Sequence, residues 1–205
     1  AILAQAIEES VAGVPCGFQD QLAAVYGGVN VWHWQTNVAS SPYNRRVLVP
    51  RRRLKEFENH LLVAYCGIPH ESKDINGRWV QQFLAGKHRA YWTEIVDLTS
   101  RFAAAVSTGN YKTAVDLVNR ETAIRRRLTP DVLDPMGVKL VNAARRYVCG
   151  ARFTGAGGGG CLWAVGELSD IERLRPAWLS ILATRPAARL LEADIDRKGL
   201  VVCDN

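Results

Sequence analysis

The chain has 205 residues, 48% of them hydrophobic and 22% charged, with a formal net charge of +6. That size and balance suit one full globular core, or one large lobe with an appendage. No apolar run reaches the roughly 18 residues that a membrane-spanning helix needs, and Glu8 and Glu9 interrupt the first apolar segment before it can act as a signal peptide.

Residues 1–9 read as helix from the first position, with no Ser, Thr, Asp or Asn to cap it, so the sequence is expected to continue upstream of Ala1. This helix should stop at Gly13, with Pro15 enforcing the end. Gln19 to Tyr26 fits a short helix with Asp20 near its N-terminus, closed by Gly27 and Gly28. Val29 to Trp34 alternates as a strand, 46–49 is a second strand, and polar residues 35–44 join them. Leu61 to Tyr65 is a continuous apolar run of strand length. After a turn at 67–69, Ser72 is placed to cap a helix through Phe83.

Three longer helical patterns follow. Ile95, Thr99, Phe102 and Val106 mark one, ending near Gly109. Ala114, Leu117, Val118, Glu121, Ile124 and Leu128 mark the next, ending before Pro130. Asp134 caps the third, with Pro135 at its first helical position and Met136, Leu140, Ala143 and Tyr147 along its face. Short strands are expected at 151–153 and 161–166. Ser169 and Glu172 form a capping box for a helix using Ile171, Leu174, Trp178 and Leu182. The tail reads as a hairpin, 188–195 against 200–203, with its turn at 197–199. Four to six strands with helices grouped between them indicate an α+β fold with a mainly antiparallel sheet.

Between the strands at 151–153 and 161–166 lies Thr154-Gly155-Ala156-Gly157-Gly158-Gly159-Gly160, with five glycines in six positions. Glycine loses the most backbone entropy on ordering, so a chain keeps such a run where φ must be positive or backbone must come close to something. One reading is a cradle of amide N–H groups for phosphate oxygens; the other is a tight hairpin with a floppy tip. Asp20, flanked by Gln19 and Gln21, is the leading candidate for proton chemistry, because a carboxylate beside a hydroxyl can accept its proton or orient it. The alternative is an aspartate that only caps its own helix.

The remaining candidates point elsewhere. The arginines at 45–46, 51–53 and 125–127 could bind nucleic acid or an anionic substrate, or form a solvated surface, and no aromatic residue is interleaved with them. Cys16, Cys66, Cys149, Cys161 and Cys203 are scattered without a CxxC spacing and read as reduced thiols, not zinc ligands or a disulfide frame. His33, His60, His70 and His88 lack ligand spacing. GxSxG, GxxxxGK[ST] and strand–turn–helix GxGxxG are absent. The six tryptophans fall at core-like spacings.

Gly17-Phe18-Gln19-Asp20-Gln21, followed by Ala23-Ala24-Val25-Tyr26-Gly27-Gly28, resembles the substrate-side motif of the GHMP kinases (galacto-, homoserine, mevalonate and phosphomevalonate kinases). Arg152-Phe153-Thr154-Gly155-Ala156-Gly157-Gly158-Gly159-Gly160-Cys161 is similar to that family's C-terminal motif, and Leu62-Val63-Ala64-Tyr65-Cys66-Gly67 with Glu71-Ser72 to the strand and turn of its sugar-kinase branch. The Gln19-Asp20-Gln21 form is closer to heptose-phosphate and fucose kinases than to galactokinases.

The resemblance implies that Asp20 is catalytic and acts on a sugar hydroxyl. It implies that Gly17, Gln19 and Gln21 bind the substrate, and that Thr154, Gly155, Ala156, Gly157 and Gly158 lie beside the nucleotide. ATP and Mg2+ are the implied donor and cofactor, and a sugar or sugar phosphate is the implied acceptor. No nucleic-acid polymer or membrane is implied as a partner, and a homodimer is one option; the cysteines, read as reduced thiols, lead to the expectation of a cytoplasmic protein. The fold implied is an α+β, ferredoxin-like C-terminal domain over 51–205, an antiparallel sheet with helices packed on one side, preceded over 1–50 by a remnant of the N-terminal domain. The family's PxGxGLSSSA nucleotide motif is missing, so the sequence is expected to be the C-terminal portion of a kinase, inactive alone. The alternative is a non-catalytic sugar-binding or regulatory relative with the same fold.

Overall fold

A computed structural model describes residues 1–12, 17–35, 42–69, 72–201 and 203, without the side chains of residues 12 and 72–74. The expected stop at Gly13 and Pro15, Cys16, His70, Glu71 and the capping side chain of Ser72 therefore lie outside the description. The chain divides into two compact units, Ala1–Glu58 with Asp194–Asn205, and Asn59–Ala193.

In the first unit, α1 (Ile2–Ala12) and α2 (Gln19–Tyr26) precede an antiparallel hairpin of β1 (Val29–Trp34) and β2 (Tyr43–Val49). A 3-10 turn at Arg51–Arg53 leads into α3 (Leu54–Glu58). α2 has the bounds its sequence implies, and β2 begins three residues before the expected 46 because Tyr43 pairs with Trp34. The tail corrects the hairpin expected at 188–203: Leu200, Val201 and Cys203 belong to no strand. Instead the tail folds back on the end of α2, where the Leu200 amide donates to Val25 O at 3.1 Å and the Gly28 amide to Asp196 O at 2.6 Å. Lys198 N donates to Asp196 Oδ1 at 2.9 Å, so the Asp side chain makes the turn that a second strand would have needed.

The second unit contains β3 (Leu61–Tyr65), α4 (Ser72–Leu84), α5 (Arg89–Thr108), α6 (Tyr111–Leu128), α7 (Pro135–Arg146), β4 (Gly150–Phe153), β5 (Cys161–Val165), α8 (Leu168–Leu182) and β6 (Arg189–Leu191). The sheet order is β4-β5-β3-β6, with every neighbouring pair antiparallel. Strand, helices, strand, strand, helix, strand in that order is the split βαβ, ferredoxin-like arrangement. Alternation places Leu62 and Ala64 of β3, Ala151 and Phe153 of β4, and Leu162 and Ala164 of β5 in one buried face. Met136, Leu140 and Val141 of α7 and Ile171, Leu174, Trp178 and Leu182 of α8 pack in that same core. Trp178 Nε1 donates to Leu140 O at 3.0 Å, which satisfies the one polar atom this large side chain brings inside.

β4 is an edge strand, and α6 protects it. Thr122 Oγ1 donates to Ala151 O at 3.0 Å and Asn119 Nδ2 to Cys149 O at 3.3 Å, which caps carbonyls that would otherwise invite another chain. Gly150 permits the approach, since a Cβ there would lie 2.9 Å from Val115 O. Asp134 caps α7 as expected, accepting from Gly137 N at 2.8 Å. The capping box expected at Ser169 does not form: α8 starts at Leu168, its N-cap is Glu167, and no side chain caps it. Ser169 is already inside the first turn, so its hydroxyl has no end position from which to reach back.

Candidate functional site

Asp20 lies in the first turn of α2, whose N-cap is Phe18 with no side-chain cap bond. The aspartate therefore does not cap its own helix. It is exposed, and among the described residues its carboxylate has no hydrogen bond or ion pair. Gly17 and Gln19 are exposed beside it. Gln21 points the other way: it is buried, its Nε2 donates to Glu8 of α1, and its Oε1 is buried without a partner. Helical spacing explains the split, because positions 20 and 21 are about 100° apart around the axis.

The same unit carries an aromatic face that the sequence did not single out. Asn30, Trp32 and Trp34 alternate on one side of β1 and meet Tyr43 and Arg45 of β2. Trp32 and Tyr43 cross edge to face at 5.4 Å, Tyr26 of α2 lies 5.2 Å from Trp32, and Phe18 lies 5.7 Å from Trp34. Arg45 sits 4.7 Å over the Tyr26 ring and donates to Asn30 Oδ1 at 3.0 Å. The hydrogen bond that the Tyr43 and Tyr26 hydroxyls share holds the Tyr43 phenol above its ordinary range. Trp34 is 50% exposed, which corrects its assignment to core packing. The period-2 alternation of tryptophans within β1 was the available signal.

In the second unit, the glycine stretch forms an ordered turn between β4 and β5. All five of its glycines have positive φ, from +57° at Gly155 to +140° at Gly159. Gly157 N donates to Thr154 O at 3.3 Å, closing a four-residue turn with Gly155 and Ala156 at its centre. Thr154 fixes the base of the turn, its amide and hydroxyl both donating to Cys161 O, at 2.9 and 3.0 Å. Gly158 N donates to Val132 O at 2.9 Å and Gly160 N to Ile68 O at 3.0 Å, so two distant loops consume amides from the row. A Cβ at Gly157 would collide with Val132 O. Among the described residues, the amides of Gly155, Ala156 and Gly159 make no hydrogen bond, and Gly155 is exposed.

A buried charge cluster lies beside the root of this turn. Glu121 of α6, 7% exposed, accepts from Arg152 Nε at 3.0 Å and from Arg125 Nε at 2.9 Å. Burial alone would raise the Glu121 carboxyl, but the two guanidiniums outweigh it and hold the group below its ordinary range. The four-residue step from Glu121 to Arg125 was visible in the sequence as a helical pair; the arrival of Arg152 from β4 was not. No group of three or more His, Cys, Asp or Glu side chains arranged for a metal occurs among the described residues. Cys66, Cys149, Cys161 and Cys203 are all free thiols.

No family model matches the chain. Among curated proteins it is 25% identical over 189 residues to the L-fucokinase/L-fucose-1-P guanylyltransferase of Bacteroides fragilis, covering 91% of this chain and 20% of that protein. It is 28% identical over 211 residues to the galactokinase of Roseiflexus sp. strain RS-1, covering 85% of this chain and 52% of that one. In fold it is similar to Lactococcus lactis galactokinase complexed with galactose, with a TM-score of 0.65 at 17% identity over 96% of this chain and 58% of that one. It is also similar to Streptococcus pneumoniae phosphomevalonate kinase in complex with phosphomevalonate and AMPPNP, with a TM-score of 0.59 at 17% identity over 76% of this chain and 43% of that one. The chain thus spans from a fifth to about half of the length of these curated relatives. With a ferredoxin-like sheet, a glycine turn between two of its strands, and sequence similarity to proteins named fucokinase and galactokinase, the chain resembles the GHMP kinases in both sequence and fold.

Proposed function

We propose that this chain forms part of an ATP-dependent kinase of a sugar or sugar phosphate, cytoplasmic, with residues 1–50 on the acceptor side and 51–205 as the C-terminal domain. The observation that carries the reading is the likeness of most of the chain to kinases named for sugars. Asp20 is the group on the acceptor hydroxyl: with no partner among the described residues, its carboxylate is available to take the proton. The hydroxyl oxygen bonds to the γ-phosphorus as the bond to the β-bridging oxygen breaks, ADP leaves, and the proton passes to Asp20. Gly17 and Gln19 flank the acceptor. The exposed ring of Trp34, backed by the half-buried rings of Phe18 and Tyr43, suits the apolar face of a sugar. Gln21, tied to Glu8, acts by fixing α2 and so the position of Asp20.

Thr154, Gly155, Ala156, Gly157 and Gly158 lie beside the donor phosphates in this reading, with the unspent amides of Gly155 and Ala156 as the donors that face them. Magnesium would offset phosphate charge, held by phosphate oxygens and at most one or two carboxylates. One observation favours the second reading, a non-catalytic sugar-binding relative: the amides of Gly157 and Gly158 are already spent on Thr154 and Val132.

Sugar-dependent ADP release from the full-length gene product separates the two readings. The kinase reading expects turnover with at least one hexose or hexose phosphate, and a loss of about 100-fold or more in kcat for Asp20→Asn with ATP binding retained. No ADP release across the panel, or full activity in Asp20→Asn, would overturn it.

A further inference from the structure

The sheet face opposite α7 and α8 carries a recess that the kinase reading does not use. We propose that it binds a small amphipathic carboxylate, an organic anion with a compact apolar body. The recess has a volume of about 220 Å³, walled by Phe102 of α5, Leu117 of α6 and Trp163 of β5, and shared by Glu121, Arg125 and Arg152. Apolar walls around a space of this size gain contacts when a hydrocarbon body fills it.

The charged lining sets the sign of the ligand. One glutamate faces two arginines, so the cluster is net positive. Glu121 takes Arg125 Nε at 2.9 Å, Arg152 Nε at 3.0 Å and Arg152 Nη2 at 3.5 Å, and Arg152 Nη1 donates to Phe153 O at 2.7 Å. Each guanidinium has five N–H donors, so those bonds leave more than half of them unspent. Among the described residues the Nη groups of Arg125 make no hydrogen bond, and the guanidinium lies over the rings of Trp79 and Trp92 at 4.6 and 4.9 Å. Burial pushes Arg125 below its ordinary range, as expected of a cation short of counter-charge. A carboxylate would supply that charge and take up the free donors; a neutral isostere would fill the space only, and an ammonium would be repelled. Arg152 and Trp163 face each other across β4 and β5 at the root of the 154–160 turn. The site lies wholly within the second unit and stands without the kinase reading.

Isothermal titration calorimetry of the chain with benzoate, benzyl alcohol and benzylamine tests the proposal. Saturable one-to-one binding is expected for benzoate, weaker by at least about tenfold for benzyl alcohol because the charged hydrogen bonds are lost, and none for benzylamine. Thr99→Leu extends an apolar side chain from the lining into the recess and should abolish benzoate binding without lowering the melting temperature; Phe102→Trp is the parallel filling variant. Equal affinities for benzoate and benzyl alcohol, benzoate binding retained in both filling variants, or no benzoate binding in the low-millimolar range would overturn it.

Discussion

Glu121 on α6 accepts a hydrogen bond from Arg152 on β4 at 3.0 Å, which ties a long helix to the strand that enters the glycine turn. The pair is scarcely exposed on the Glu side, and Arg125 shares the same carboxylate at 2.9 Å. A surface ion pair contributes little, but removing the shared anion of a buried triad leaves two half-buried cations.

Glu121→Gln should therefore destabilise the protein by about 3 kcal/mol, and replacing Arg152 by Gln by less, because Arg125 still compensates the carboxylate. Urea unfolding at neutral pH measures both. A Glu121→Gln protein as stable as the parent would mean the triad makes no net contribution.

The same carboxylate predicts an acid limb. Its folded pKa is depressed, so its contribution is fully present above the unfolded value of about 4.3 and is lost as pH falls through the folded value. Stability measured from pH 6 downward, set about two units above the unfolded value, should fall more steeply in the parent than in Glu121→Gln.

Asp134 has two tasks at once. Its Oδ1 caps α7 through Gly137 N, and its Oδ2 pairs with Arg185 Nη1 at 2.8 Å, while Arg185 also donates to Cys66 O. Asp134→Ala loses both and should cost about 2–3 kcal/mol; Asp134→Asn keeps the cap and should cost less. Thermal melts of the two variants distinguish cap from ion pair.

Gly157 has φ +84° and no room for a Cβ against Val132 O. Gly157→Ala should cost about 2 kcal/mol or more from strain and collision together, whereas Gly155→Ala, at φ +57° in an exposed position, should cost about 1 kcal/mol. Chemical denaturation of the two variants reads the difference directly.

Thiol reactivity should follow burial. Burial pushes Cys66 and Cys149 up to about 12, whereas Cys203 is exposed. With an aromatic disulfide reagent at about pH 8, Cys203 should react at once because it is exposed. Cys66 and Cys149 should stay silent until denaturant is added.

Local pattern determined a good deal of this protein. The apolar run and its length at Leu61 to Tyr65, the Asp-Pro start of α7, the helix holding Asp20 and the glycine turn between two strands were all legible, because each depends on neighbours within a few residues. The motifs around Asp20 and Gly155 also carried the family resemblance. Only the tertiary structure decided the order β4-β5-β3-β6 and the use of a glycine amide by Val132, more than twenty residues upstream. It also decided the exposure of Trp34 and the meeting of Glu121 with Arg152. The tail and Ser169 failed as local readings for the same reason. A β-prone segment becomes a strand only where an unpaired edge awaits it, and a capping residue caps only where packing ends the helix. Both are settled by partners far away in the chain.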